Sequence, residues 1–243
     1  MAQFKPEEKR RAFERLSSVR EIVFGIQDGV LTTAGVLAGL SGAVSGRSQV
    51  ILAALASTAA GALSMGAGAY LGTRAETQVL RNQLELVRRE SERHPYIVQE
   101  ELLAALAKEG LSREAGYRVV KLLSNAPDAL FSTAEQKLYG LSDSTLGNPT
   151  LDGLLMGAAF LAGALVPLLP FVLIASVRYG LIAGIAMAAI ALFAVGYVFE
   201  GVLAGERSPT AAGFRFLAIA LGAAAIGYTV GLLISPIGAG AAG

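Results

Sequence analysis

The chain has 243 residues, 53% hydrophobic and only 16% charged, with 29 glycines, one histidine and no cysteine. The missing cysteine excludes disulfide frameworks and thiolate metal centres, and a single histidine excludes zinc sites built on His and Cys. Any metal would have to be held by carboxylate, thioether, carbonyl or water; the net charge of +1 says little by itself, and no nucleic-acid partner is expected.

In chain order, residues 1–20 come first: KPEEKRRAFERLSSVR brings Phe13, Leu16 and Val19 near one face and reads as a basic amphipathic helix lying on the inner leaflet. This segment lacks the apolar core of a cleavable signal. The stretch Glu21–Ala43 then reads as a membrane-spanning helix whose only ionisable residue beyond its first position is Asp28. A carboxylate inside the bilayer is costly unless paired, solvated or metal-bound, so it is a functional candidate by default. Gly25, Asp28, Gly29, Thr32, Gly35, Val36, Gly39 and Gly42 fall on one arc of about 140°. That stripe describes a helix that packs closely or lines a polar path. The plainer alternative is that Asp28 pairs with a neighbour such as Arg20.

Five apolar runs, at 22–44, 49–72, 151–175, 179–203 and 214–235, are each long enough to cross ~30 Å of hydrocarbon. With the N-terminus in the cytoplasm, every Lys and Arg except Arg47 and Arg178 falls inside or at the inner boundary, as the positive-inside rule requires. The expectation is an all-α, polytopic membrane protein with five transmembrane helices and a helical cytoplasmic insert between the second and third. Its segments are 1–20, the helix pair 21–72, the insert 73–150 and the last three helices in 151–243. The midpoint between Asp28 and Met65 lies in the turn Ser45–Gly46–Arg47, so an antiparallel pair carries both residues at one depth. A lone Met on an apolar helix is usually packing. Shared depth with a buried aspartate makes Met65 a candidate ligand.

No proline interrupts Gln49–His94, and polarity rises abruptly after Gly72, so the second span should continue into water as one long helix. Helices at 96–109 and 113–124 follow, stopped by Gly110 and capped by Ser112, with a third at 128–140 where Ser132 and Glu135 have capping-box spacing. Glu200 is a second acid in an apolar run, explained either by snorkelling, by pairing with Arg207 or by a proton-relay role. No catalytic triad, phosphate loop or dinucleotide fingerprint occurs, and an enzyme is not expected.

FGIQDGVLTTAGVLAG, GALSMGAGAYLGTRAE and GNPTLDGLLMGAAFLAGALVPLLPF together resemble the vacuolar iron transporter family over nearly the whole chain. The resemblance implies a homodimer in which the first span of each copy lines a path for Fe²⁺ or Mn²⁺. The metal would leave the cytoplasm in exchange for protons, across the cell membrane of a prokaryote or a vacuole-like membrane of a eukaryote. No permanently bound cofactor is implied. Asp28 matches the aspartate of the family's first span and Met65 the methionine of its second, with Gly25, Gly29 and Thr32 beside them on the path. In metal-binding members carboxylates stand eight and five residues before a proline of the insert, and three and six after it. With Pro95 as that proline these positions are Val87, Glu90, Val98 and Glu101. Only Glu90 and Glu101 keep the donor, and the last insert helix, ALFSTAEQKLYG, lacks the family's methionines. Glu90, Glu92, Glu100 and Glu101 also read as a solvated face interleaved with Arg88, Arg89 and Arg93, and His94 as an exposed helix-end residue. The runner-up function is a non-transporting membrane protein of the same fold, acting as a metal sensor or assembly partner.

Overall fold

The computed structural model describes residues 6–43, 46–138, 147–203 and 208–240; the side chains of 6–18, 42–43, 90, 200–203, 220, 223–224 and 231–240 also lie outside the description. Every regular element is helical: α1 (Pro6–Ala43), α2 (Arg47–Arg93), α3 (Pro95–Lys108), α4 (Arg113–Leu123), α5 (Pro127–Leu138), α6 (Pro149–Leu173), α7 (Val177–Val195), a π-helix (Gly196–Leu203) and α8 (Pro209–Gly240). Four stretches are long and apolar enough to cross a membrane: Val19–Ser41, a window within Arg47–Arg93, Pro149–Leu173 and Val177–Phe199. The fifth predicted span lies within α8, part of which is outside the described side chains. The chain divides into two compact units, one joining Met1–Leu71 to Pro149–Gly243 and the other comprising Gly72–Asn148.

In the first unit α6 is the central helix. Gly25 and Gly29 of α1 meet Met156–Ala164, so α1 and α6 run parallel, whereas Gly61 and Gly66 of α2 meet Phe160 and Gly153 in reverse order. Gly184 of α7 abuts the Pro167 carbonyl on a further side of α6. Glycine is required where backbones approach this closely: a Cβ on Gly25 would lie 2.7 Å from Ala159 Cβ and 2.8 Å from the Met156 carbonyl. Small residues at crossings replace the hydrophobic drive that lipid surroundings remove. Large apolar side chains fill the gaps between crossings. Leu37, Val50, Ala54, Leu168 and Phe171 form one buried cluster. Val30, Ala34, Ala188, Leu192, Val195 and Phe216 form another. The buried hydroxyls of Thr33 and Thr58 share a hydrogen bond of 3.4 Å between α1 and α2.

Pro167 and Pro170 lie inside α6, where each removes a backbone donor. Near the end of that helix, Arg47 Nη2 donates to the Val172 carbonyl at 2.5 Å. It thereby satisfies one of the carbonyls that a helix C-terminus leaves open.

The second unit folds around Leu102, Leu106, Val120 and Leu130, with Leu103, Leu111 and Leu123 against them. Gly110 at φ +96° ends the α3 segment, and Ser112 Oγ accepts from the Ala115 N–H at 3.3 Å to cap α4, as the sequence predicts. The expected helix at 128–140 exists as α5, but it begins at Pro127. Ser132 is therefore mid-helix, donating to the Ala129 carbonyl at 3.2 Å, and the capping-box reading of Ser132 and Glu135 is wrong. Proline at the first helical position sets the start at Pro127, one residue before the expected 128. A second difference concerns the N-terminus. Instead of a separate surface segment at 1–20 and a span, α1 is one unbroken helix of 38 residues.

Candidate metal path on the first helix

Asp28 is half-buried in the middle of α1 and accepts a hydrogen bond from Thr32 Oγ1, one turn on, at 3.4 Å. Among the described residues no ion pair reaches it; Arg20 pairs with Glu21 instead, at 2.9 Å. The carboxylate thus keeps most of its acceptor capacity unused.

Glu21 is the residue that sequence reasoning missed. Counted as the polar first position of the span, it is only 4% exposed. One carboxylate oxygen, Oε1, takes the bond from Arg20, while Oε2 is buried without a hydrogen-bond partner. A buried acceptor left open carries a desolvation cost of about 1–3 kcal/mol or more for a charged group. Glu21 precedes Asp28 by seven residues, which on an α-helix puts the two within about 20° of one face and roughly 10 Å apart. That spacing was the available signal. Two acids on one stripe of a membrane helix form a ladder along it.

Met65 on α2 is half-buried and packs against the cluster of Ala62, Phe160 and Ala164. Gly29 abuts the same Phe160–Ala164 turn of α6 from α1. Asp28 and Met65 therefore flank one level of the unit, the depth relation expected from the hairpin midpoint. Gly25 and Gly29 are buried against α6 of their own chain, and Gly39 faces Gly227 of α8. The close approach that these glycines permit is thus occupied within the chain, and they fix Asp28 in place. Thr32 is half-buried and holds the Asp28 oxygen.

The insert presents different chemistry. Glu101 is exposed on α3, and the Glu90 side chain lies outside the described residues. Val98 is buried in the helical core. Among the described residues no group of three or more His, Asp or Glu is arranged to hold a metal. Arg88 is paired with Asp128 at 3.2 Å and with Glu92 at 3.4 Å, and its guanidinium lies 5.4 Å from the centre of the Phe131 ring. His94 is exposed at the start of α3, edge-on to Tyr96 at 5.9 Å. Glu200 falls within the π-helix, its side chain outside the described residues, as is Arg207.

The VIT family model matches residues 19–232. The chain belongs to the VIT family. It is 31% identical over 179 residues to vacuolar iron transporter 1 of Eucalyptus grandis, covering 74% of this chain and 72% of the relative. Vacuolar iron transporter 1 of Tulipa gesneriana is 30% identical over 192 residues, 79% and 78% of the two chains. Vacuolar iron transporter 1 of Arabidopsis thaliana is 30% identical over 189 residues, 78% and 75%. These VIT relatives are named as transporters, not enzymes. The match takes in the first four predicted spans, the insert and most of the fifth span, so the α1 ladder and the insert both lie inside the family region.

Proposed function

We propose that this VIT protein carries a divalent first-row metal, Fe²⁺ or Mn²⁺, out of the cytoplasm along the acidic face of α1 in exchange for protons. The observation that carries the reading is the pair Glu21 and Asp28: two carboxylates on one membrane-buried stripe, one with an unpartnered oxygen. Carboxylates at such depth are costly, and the open buried oxygen of Glu21 and the largely free acceptor capacity of Asp28 argue for a cation as a further partner. Oxygen donors accept these ions, and the soft thioether of Met65, at the level of Asp28, favours them over Mg²⁺ or Ca²⁺. The same carboxylates can hold a proton when the metal is gone, since metal binding requires the deprotonated form. One site thereby couples the two fluxes. The named relatives agree in transporting iron.

The charge distribution supports an inward N-terminus and insert. A homodimer is supported by α2, where Ala56, Ala60, Ser64, Gly68 and Gly72 recur every fourth residue and are all exposed. Such a small-residue ridge is what closely packed membrane helices use. Partner copies meeting beside α1 would close the path on its open side.

The test is flux into vesicles carrying the purified protein, run for Fe²⁺, Mn²⁺, Mg²⁺ and Ca²⁺ with and without an opposing pH gradient. Uptake of the first two, accelerated by the gradient, is expected. Metal binding without flux under any gradient would favour the sensor reading, which the loss of carboxylates at Val87 and Val98 motivates.

A further inference from the structure

Of the four membrane-length stretches, the one in α2 is the least enclosed: 17% of it is buried, against 39% in α1 and 44% in α6. It meets α6 along a narrow line of small residues. A Cβ on Gly66 would lie 2.9 Å from the Gly153 carbonyl, and one on Gly157 3.1 Å from the Ala62 carbonyl. Beside that line lies a groove of about 710 Å³, walled by Ala59, Leu63 and Tyr70 of α2 and by Thr150, Leu154 and Leu161 of α6. Leu63 and Leu154 are 76% and 68% exposed. The side-chain polar atoms among the lining residues are the hydroxyls of Tyr70 and Thr150. Because α2 and α6 run antiparallel, both hydroxyls stand at one end, next to Gly72, where the polarity of the chain rises.

We propose that this groove is a lipid site, holding one acyl chain of a phospholipid whose ester end sits at the hydroxyls of Tyr70 and Thr150. Water is a poor occupant, since it needs two to four polar partners and most of the lining offers none. An empty groove would forfeit the dispersion contacts of its walls. The length of the groove fits one leaflet: Ala59 to Tyr70 spans about 16 Å at 1.5 Å per residue, about half of the ~30 Å hydrocarbon core. Its polar end suits that placement, because tyrosine belongs where hydrocarbon gives way to head groups. A further helix fits less well. Spread over that length, the volume averages about 45 Å² in section, well below that of a helix about 10–12 Å across with its side chains. The exposed small-residue ridge of Ala60, Ser64 and Gly68 also lies elsewhere, about 120° around α2 from Leu63 and Tyr70, so a helix packed on that ridge leaves the groove open.

The chain contains no tryptophan, so a single introduced indole reports only its own surroundings. Full-length Leu63→Trp, in detergent micelles titrated with phosphatidylcholine brominated on its acyl chains, should be quenched saturably, complete near one lipid per chain. Ile190→Trp, at a site 64% exposed on α7 and outside the groove, should be quenched only in proportion to the lipid content of the micelle. Its half-quenching should need about tenfold more lipid. Adding Ala158→Phe, which fills the groove from its exposed α6 wall, should turn the Leu63→Trp response into that of Ile190→Trp. Ala67→Phe does the same from the α2 wall, and an unchanged melting temperature identifies the variants that remain folded. Equal, unsaturable quenching at Leu63 and Ile190 would overturn the site and leave only bulk solvation of the two helices. Saturable quenching at Leu63 that survives both folded phenylalanine variants would also overturn it.

Discussion

The membrane unit and the cytoplasmic insert are both helical, yet they treat charge in opposite ways. In the first unit the helices touch backbone to backbone through glycines, and the two acids of α1 are taken out of solvent, one almost wholly. In the insert a leucine core holds the helices, and the acids lie on the surface beside arginines, as in the exposed pairs of Arg88 with Glu92 and Asp128. Exposed ion pairs contribute about 0–1 kcal/mol. A carboxylate there is therefore cheap and says little. The same group inside the bilayer is expensive, and its presence is itself a statement about function.

Substitutions can break that contrast. Asp28→Asn should reduce metal flux to background while the variant stays folded and of unchanged mass; flux at the wild-type rate would remove Asp28 from the path. Glu21→Gln should come next, with flux down about tenfold, equivalent to about 1.4 kcal/mol. Its melting temperature should hold or rise, because the variant removes a buried charge with one open oxygen and gives up only an ion pair to the exposed Arg20. A folded but inert Glu21→Ala beside a fully active Glu21→Gln would instead make Glu21 a packing residue. Met65→Leu conserves volume and should cost less than about 1.5 kcal/mol in stability, while weakening uptake of Fe²⁺ or Mn²⁺ severalfold. Equal uptake kinetics in both proteins would return Met65 to its apolar cluster. Smallest of all should be Glu90→Ala with Glu101→Ala, shifting stability by no more than about 0.5 kcal/mol and lowering transport less than either α1 change. A double variant as inactive as Asp28→Asn would mean that the insert holds essential metal after all.

Local signals were the legible part. Gly110 and Ser112 mark the α3–α4 turn because a positive φ and a capping hydroxyl are decided by the residues themselves. Polarity placed the spans, and the unbroken run after Gln49 foretold the 47 residues of α2. Failures came where two local signals competed or where none existed. The capping-box spacing at Ser132 misled because Pro127 already starts the helix, and nothing in GYVFEGVL announces a π-helix: Glu200 interrupts the apolar run without marking a change of helix type. Of the site, Asp28 stood out because apolar residues surround it in sequence. Glu21 did not, because it adjoins the basic segment; its burial depends on the packing of other helices. The glycine stripe was legible as a close contact, but a stripe does not say which helix fills it. Here α6 does.

The crossing of α1 and α6 is reciprocal. Gly29 of α1 receives the backbone of Phe160 and Ala164, and Gly163 of α6 receives the backbone of Ile26. Side chains can change rotamer to let one helix slide past another; carbonyls and Cα atoms cannot. The two helices are therefore locked together at this crossing, backbone against backbone. A motion that opened the proposed path at Asp28 to one side of the bilayer and then the other would have to carry α6 along with α1.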